Sequence, residues 1–227
     1  MAERYAVIGL GRFGRQLARA LTKAGVEVIA IDRDRQLIEQ IADEVTQAVR
    51  LDSTDEDALR GQGIDQVDAA VVGIGEDFES NVLTTVLLKS LGVGCVYARA
   101  DHDMHARILK RVGADEIIFP EEEAAQRWAY RLVAPQIGEK LEFAPGFSVA
   151  QYSAPASFEG KSLLELQLRK KHRVNIIGIR SRGQAEAEAS KNRRRIVNVP
   201  QPESIIHAGD LLWLVGSDED LAALPDK

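Results

Sequence analysis

The 227-residue sequence has one cysteine, Cys95, and four histidines. A single thiol excludes an internal disulfide framework and a cysteine-built zinc site, and such scarcity suits the cytosol. His102, His105, His172 and His207 fall into no H-E-x-x-H or other ligand spacing, and none pairs recognisably with a nucleophile or carboxylate. No uncharged apolar run approaches the roughly 20 residues of a membrane-spanning helix, and the N-terminal stretch has no signal-peptide pattern, so a cytoplasmic chain is expected. Basic charge is short too. The 29 Lys and Arg stand against 35 Asp and Glu, a net charge of −6, which argues against nucleic acid as the main partner. The G-x-x-x-x-G-K-[ST] loop of hydrolysing NTPases is also missing.

What is there supports a folded chain of two parts. Apolar residues make up 45% and charged ones 28%, enough to bury a core. The length allows one large domain or two small ones. Up to Gly138, 16 basic residues face 23 acidic ones; beyond it, 13 face 12. The texture changes at the same place, from apolar runs alternating with helical patterns to β-like runs and most of the prolines. Two domains are therefore expected, residues 1–138 and 139–227.

The first reads as repeated strand–helix units. Apolar runs at Tyr5–Ile8, Val26–Ile31, Gln47–Leu51, Ala69–Gly73, Cys95–Arg99 and Glu116–Phe119 predict six strands. Between them, Phe13, Leu17, Ala20, Leu21 and Ala24 share a helical face, as do Leu37, Ile38 and Ile41, and further helices are predicted at Asp55–Gly61, Asp77–Leu91 and His102–Val112. Near-continuous apolar strands separated by helices imply a parallel sheet covered on both faces: an α/β, doubly wound Rossmann domain of strand order 3-2-1-4-5-6. After Pro120, Glu121–Glu122–Glu123 start a long helix to about Ile137, read either as packing between the domains or as a crossover helix docking on a second subunit.

The chemistry concentrates at one turn. Gly9-Leu10-Gly11-Arg12-Phe13-Gly14 is a G-x-G-x-x-G that follows a strand and opens a helix, and Asp32 ends the next strand 23 residues after Gly9. Gly9 permits the tight turn, Gly11 lets a phosphate approach the backbone, and Gly14 lets helix and strand pack closely. The helix start offers its N–H groups to phosphates, and the Asp32 carboxylate can accept from both ribose hydroxyls. Asp32 would repel a 2′-phosphate, which disfavours NADP, while neighbouring Arg33 works the other way. Arg12 has two readings on physics alone: a cation for a terminal phosphate, in its own subunit or across an interface, or a solvated helix-start residue. Asp52-Ser53-Thr54 can touch the adenosine edge or cap the next helix. Arg99 ends the fifth strand, where open α/β sheets bind ligands. His102 and His105, three apart on one predicted helix, read as solvated. A nucleotide bound and not consumed is the reading these residues support.

The run from Tyr5 through Gly14, with Ile31-Asp32, Leu51-Asp52-Ser53-Thr54, Ala98-Arg99-Ala100, and Gly113-Ala-Asp115 to Pro120-Glu121, resembles the RCK (regulator of potassium conductance) domain family, in particular the cytosolic gating subunits of Ktr and Trk potassium uptake systems. The match covers nearly all of residues 1–138, and the remainder resembles the family's smaller C-terminal module. The resemblance implies homodimers assembled into an octameric ring on the inner face of the membrane, under a potassium-translocating partner subunit. It implies ATP or ADP, or in the Trk branch NAD(H), in the Rossmann crevice, gating transport without catalysis. Carried over residue by residue, its nucleotide contacts fall on Gly9, Gly11, Arg12, Phe13, Gly14, Asp32, Arg33, Asp52, Ser53, Thr54 and Arg99; Arg33 and Asp52 depart from the family's commoner residues. Arg12 then becomes the sensor of the terminal phosphate. Glu121 matches an acidic residue near the phosphates at the dimer interface, where an ion such as Mg, Ca or Na can bind.

The second domain reads as a small α+β module. Residues 139–150 are expected to be a linker running into a strand, Gly160–Leu166 the start of a short helix, and Val174–Ile179 a strand. Ser181–Asn192 reads as a hairpin loop, Val197–Val199 and Leu211–Val215 as strands, and Ala208-Gly209-Asp210 as a turn. In the resembled family this module dimerises and takes a second effector such as cyclic di-AMP; the basic groups Lys170–Arg173 and Arg193–Arg195 are otherwise read as solvated. Two other classes stay open on the residues: an NAD-dependent oxidoreductase, for which no catalytic residue is found, and a free-standing nucleotide sensor serving another protein.

Overall fold

Strands β1 (Arg4–Ile8), β2 (Glu27–Asp32), β3 (Gln47–Arg50), β4 (Ala69–Val72), β5 (Cys95–Arg99) and β6 (Glu116–Ile118) form one parallel sheet ordered β3-β2-β1-β4-β5-β6, as the strand–helix pattern predicts. These are features of a computed structural model that describes residues 3–180 and 199–225. Alternate side chains of each central strand feed different layers. Ala6, Ile8, Ile29 and Ile31 face one core; Val7, Val28 and Ala30 face the other. Helices α1 (Arg12–Lys23) and α2 (Arg35–Ile41) close the second through Ala18, Leu21, Leu37, Ile38 and Ile41. Helices α3 (Glu56–Gly61) and α4 (Phe78–Ser90) close the first through Leu59, Leu87 and Leu88. Helix α5 (Asp103–Arg111) seals the edge with Leu109 against Ala98. Burial on both faces is why these strands appear as unbroken apolar runs. The strand order reverses between β1 and β4, which places the ligand crevice of such a sheet at their carboxyl ends.

The chain divides into two compact units, Met1–Ala124 and Ala125–Lys227, with the division inside α6 (Pro120–Val133). Pro120 is the first residue of α6, where its missing N–H costs nothing. The helix stops four residues short of the expected Ile137. Pro135 disfavours helical backbone at Ala134, and Ile137 begins a strand instead.

In the second unit β7 (Ile137–Ala144), β8 (Phe147–Ser153), β9 (Asn175–Arg180) and β10 (Leu211–Ser217) form a sheet ordered β7-β8-β10-β9, antiparallel throughout. The expected linker at 139–150 is therefore corrected: it is most of a hairpin, turning at Pro145-Gly146 with Gly146 at φ +73°. Short helices α7 (Leu163–Leu166), α8 (Leu168–Lys171) and α9 (Asp218–Ala222) pack on a core of Tyr152, Phe158, Leu166, Ile206, Leu212, Leu214 and Leu221. Beside it, the Lys140 ammonium donates to Asp218 (2.6 Å) and lies 3.6 Å from the centre of the Tyr130 ring, while Ser148 donates to the other Asp218 oxygen (2.7 Å). Burial pulls the Lys140 ammonium down, but its bonds to Asp218 and Tyr130 leave it raised; burial pushes the Asp218 carboxyl up, but its donors leave it lowered. The turn at Ala208–Gly209 is present. The loop expected at Ser181–Asn192, the strand residues Val197 and Asn198, and Arg193–Arg195 lie outside the described residues; Val199 is not in a strand.

Candidate functional site: a nucleotide crevice at the switch point

Ile8 ends β1, and the chain turns sharply into α1. Gly9 sits at φ +89°, a region side-chain-bearing residues rarely adopt, and a Cβ there would lie 2.9 Å from Cγ1 of Ile74. A Cβ on Gly14 would meet the Gly9 carbonyl oxygen at 1.9 Å, so helix and loop touch backbone to backbone. Gly11 is different: among the described residues, its chain neighbours aside, nothing lies within 4 Å of the Cβ it lacks. Its own fold does not need that glycine, whereas a ligand reaching the loop amides does. Gly11 is also the N-cap of α1 and supplies no side-chain acceptor, and the first turn carries no acidic residue. The amides of that turn are left to an outside acceptor.

Asp32 does two things here. One oxygen accepts from the Leu10 N–H within the loop (2.6 Å), the other from the Asp34 N–H (2.8 Å). The carboxylate thus pins the glycine loop to the end of β2, and spare lone pairs remain on both oxygens for a ribose. Arg12 is exposed on the first turn of α1, and among the described residues its side chain has no hydrogen-bond or ion-pair partner. Phe13 beside it is half-buried. Arg33 is largely exposed and pairs at 3.6 Å with Asp77, the N-cap of α4.

The 52–54 segment splits. Asp52 accepts from the N–H and hydroxyl of Thr54 (3.0 and 2.7 Å), which hold its carboxyl below the usual range. Ser53 is buried and shares a 2.8 Å hydrogen bond with Thr84 of α4, so its hydroxyl points into the fold. The alternative that one of the three caps the next helix is corrected: Asp55 is the cap, accepting from Ala58 N–H.

Arg99 ends β5 with its side chain mostly buried. It donates to Glu121 at 2.9 Å and lies 3.4 Å from Asp101, and its guanidinium rests where a side chain at Gly75 would be. Glu121, on the first turn of α6, is thus tied to Arg99 within one subunit. Among the described residues no group of three or more His, Cys, Asp or Glu side chains is placed to hold a metal. His102 and His105 are not simply solvated: His105 stacks on Phe78 at 3.7 Å between ring centres, with His102 against it at 3.8 Å.

Three residues that the sequence reading passed over belong to this crevice. Ile74 and Gly75 follow β4 at the switch point, and Asn81 of α4 donates to the carbonyls of Ile74 (2.7 Å) and Arg99 (3.0 Å). A Gly-x-Gly after a strand beside the reversal in strand order was the available signal.

A doubly wound sheet with a glycine loop at its switch point and an acidic residue ending the second strand defines the nucleotide-binding type of Rossmann domain, here followed by a small antiparallel α+β unit. The TrkA-N domain model matches residues 5–120 and the TrkA-C domain model residues 152–226. The chain belongs to this TrkA-N/TrkA-C, or RCK, family. It is similar to the Ktr system potassium uptake protein C of Bacillus subtilis (strain 168), 35% identical over 222 residues that cover 98% of this chain and 96% of that protein. Among solved structures, it is similar to the GsuK channel bound to NAD (TM-score 0.59, 18% identity, 100% of this chain and 41% of that one). It is also similar to GsuK bound to ADP (TM-score 0.50, 28% identity, 57% of this chain and 34% of that one). The chain spans less than half the length of those channel chains.

Proposed function

We propose that this chain is a cytoplasmic regulatory subunit that senses an adenine nucleotide and gates a membrane potassium-translocating partner, without chemistry on the nucleotide. The observation that carries this is the glycine loop: it is packed backbone to backbone at Gly14, tethered by Asp32, and open at Gly11, next to an Arg12 that has no partner among the described residues. The similarity to a Ktr potassium uptake protein over nearly its whole length supports the transport partner, and GsuK structures with NAD and with ADP support the ligand class. We put ATP or ADP first and NAD(H) second. Loop amides from Gly11 to Gly14 take the phosphates, Asp32 the ribose, the Asp52–Thr54 turn and Arg33 the adenosine side, and Arg99 the inner phosphate.

A ligand shifts a ring between two shapes only by binding one of them better. Moving a gate decisively needs roughly 5.5 kcal/mol of preference, a demand that eight coupled sites of an octamer built from homodimers can share. Arg12 reaching the terminal phosphate adds a charge-assisted bond to ATP that ADP lacks. A Mg, Ca or Na ion at Glu121 between subunits, and cyclic di-AMP in the C-terminal module, complete the reading. The test is mass spectrometry of ligand released from purified protein, followed by calorimetry with ATP, ADP and NADH and potassium uptake with the partner subunit. Adenine nucleotide that binds and returns unchanged is expected. No heat with any of the three, or steady conversion of one, overturns the reading.

A further inference from the structure

The ladder between β4 and β5 ends at Val72 opposite Ala98. Beyond it the pairing stops and leaves a gap in the ladder, with one chain running on through Gly73–Ile74–Gly75 and the other strand ending at Arg99. Two carbonyls face the gap, and one group serves both: the side-chain N–H2 of Asn81 donates to Ile74 (2.7 Å) and to Arg99 (3.0 Å). Asn81 is 2% exposed, on the first turn of α4, where Asp77 accepts its backbone N–H (3.1 Å) and caps the helix through Ser80. Two acceptors meeting one nitrogen fix the amide's orientation, and neither an apolar nor an acidic side chain can replace it.

What it joins matters. Ile74 is the residue that a Cβ on Gly9 would strike, so it walls the phosphate loop. Gly75 is the residue over which the Arg99 guanidinium lies; a Cβ there would be 2.5 Å from Nη1. Consecutive Cα atoms are only about 3.8 Å apart, so loop wall and guanidinium are adjacent parts of one surface. Glu121 and Asp101 hold the Arg99 guanidinium through Nη2 only; among the described residues its Nε is buried without a partner, so its aim also depends on the backbone that carries it.

We infer that Asn81 is the positioning residue that sets Arg99 against the phosphate loop, a role that rests on the nucleotide reading above. The test is calorimetry with ADP on the full chain in four forms: unmodified, Asn81→Ala, Arg99→Ala and the double variant, each checked for folding by circular dichroism. Each single variant is expected to weaken ADP binding about tenfold, and the double variant by clearly less than the product of about a hundredfold, because Asn81 acts through Arg99. Independent losses that multiply overturn the role, as does an Asn81→Ala protein that binds ADP within about twofold of the unmodified chain, or an Arg99→Ala change without effect. Should Asn81→Ala not fold, Asn81→Ser, which keeps one donor, takes its place under the same criteria. If the unmodified chain takes no ADP but binds ATP or NADH, the same cycle is read with that ligand; if it binds none of them, the nucleotide reading itself fails and this role with it.

Discussion

Gly11→Ala separates what the fold needs from what the ligand needs. Gly11 has φ −60° and ψ −170°, ordinary extended backbone, and among the described residues beyond its chain neighbours no atom lies within 4 Å of the added methyl. Alanine is the poorer N-cap by up to about 1 kcal/mol. Against that, it reduces the freedom of the unfolded chain by about 0.4–1 kcal/mol. The two nearly cancel, so the ligand-free variant should melt within a few degrees of the unmodified protein. On the proposed nucleotide reading, the methyl stands in the way of a phosphate that comes to the loop amides. Losing one or two hydrogen bonds to a charged group removes about 1.5–3 kcal/mol each, or roughly tenfold to about 20,000-fold in affinity. Differential scanning fluorimetry and ADP calorimetry on one preparation read both numbers. A variant that melts normally and binds ADP undiminished would refute the assignment of the loop as the phosphate site.

Gly14→Ala should do the opposite, destabilising the first unit by about 3 kcal/mol or more, since the methyl meets a backbone oxygen that has nowhere to go; urea denaturation checks it. Arg12→Ala should reduce ATP affinity about tenfold relative to ADP and abolish the difference in transport activation between them; an unchanged ratio in calorimetry counts against Arg12 as sensor. Asp32→Ala leaves the buried Leu10 N–H without its acceptor and should cost about 1–3 kcal/mol of stability even without nucleotide. Asp218→Asn should destabilise the second unit by about 2 kcal/mol at neutral pH. Because the folded Asp218 carboxyl is lowered, its contribution is complete above the unfolded value near about 3.9 and is lost as pH falls through the folded one. The raised Lys140 contributes fully below about 10.4 and less as pH rises through its folded value. The penalty of Asp218→Asn should therefore be flat across neutral pH and shrink in acid. Fluorescence of Trp128 and Trp213, both in that unit, follows it during urea titration.

Legibility differed between the two units for a physical reason. In the first, each strand is buried on both faces and each helix on one, so apolar runs and helical spacing are written directly into the order of residues. In the second, β7 reads Ile-Gly-Glu-Lys-Leu-Glu-Phe-Ala, a strand so exposed that it resembles a linker; only its pairing with β8 makes it a strand. The helix after Pro120 was legible at its start and not at its end, because Pro135 acts on the residue before it. At the crevice, the motif residues were legible by their spacing. The hydroxyl of Ser53 was not, since whether a short polar side chain faces ligand or core depends on α4 bringing Thr84 to it across 31 residues. His102 and His105 were likewise placed on one helix by spacing, but it is Phe78 of another helix that gives them something to stack on.

By itself the order of residues determined the parallel sheet, its strand sequence and the glycine loop with its acidic partner, because these follow from local periodicity and from the backbone freedom of single residues. Tertiary structure alone decided which glycines the packing requires and which have open space at the missing Cβ, that Asp32 holds the loop as well as facing the crevice, and that Asn81 bridges two strand ends. Those are matters of distance between segments far apart in the chain, and no pattern within one segment encodes them.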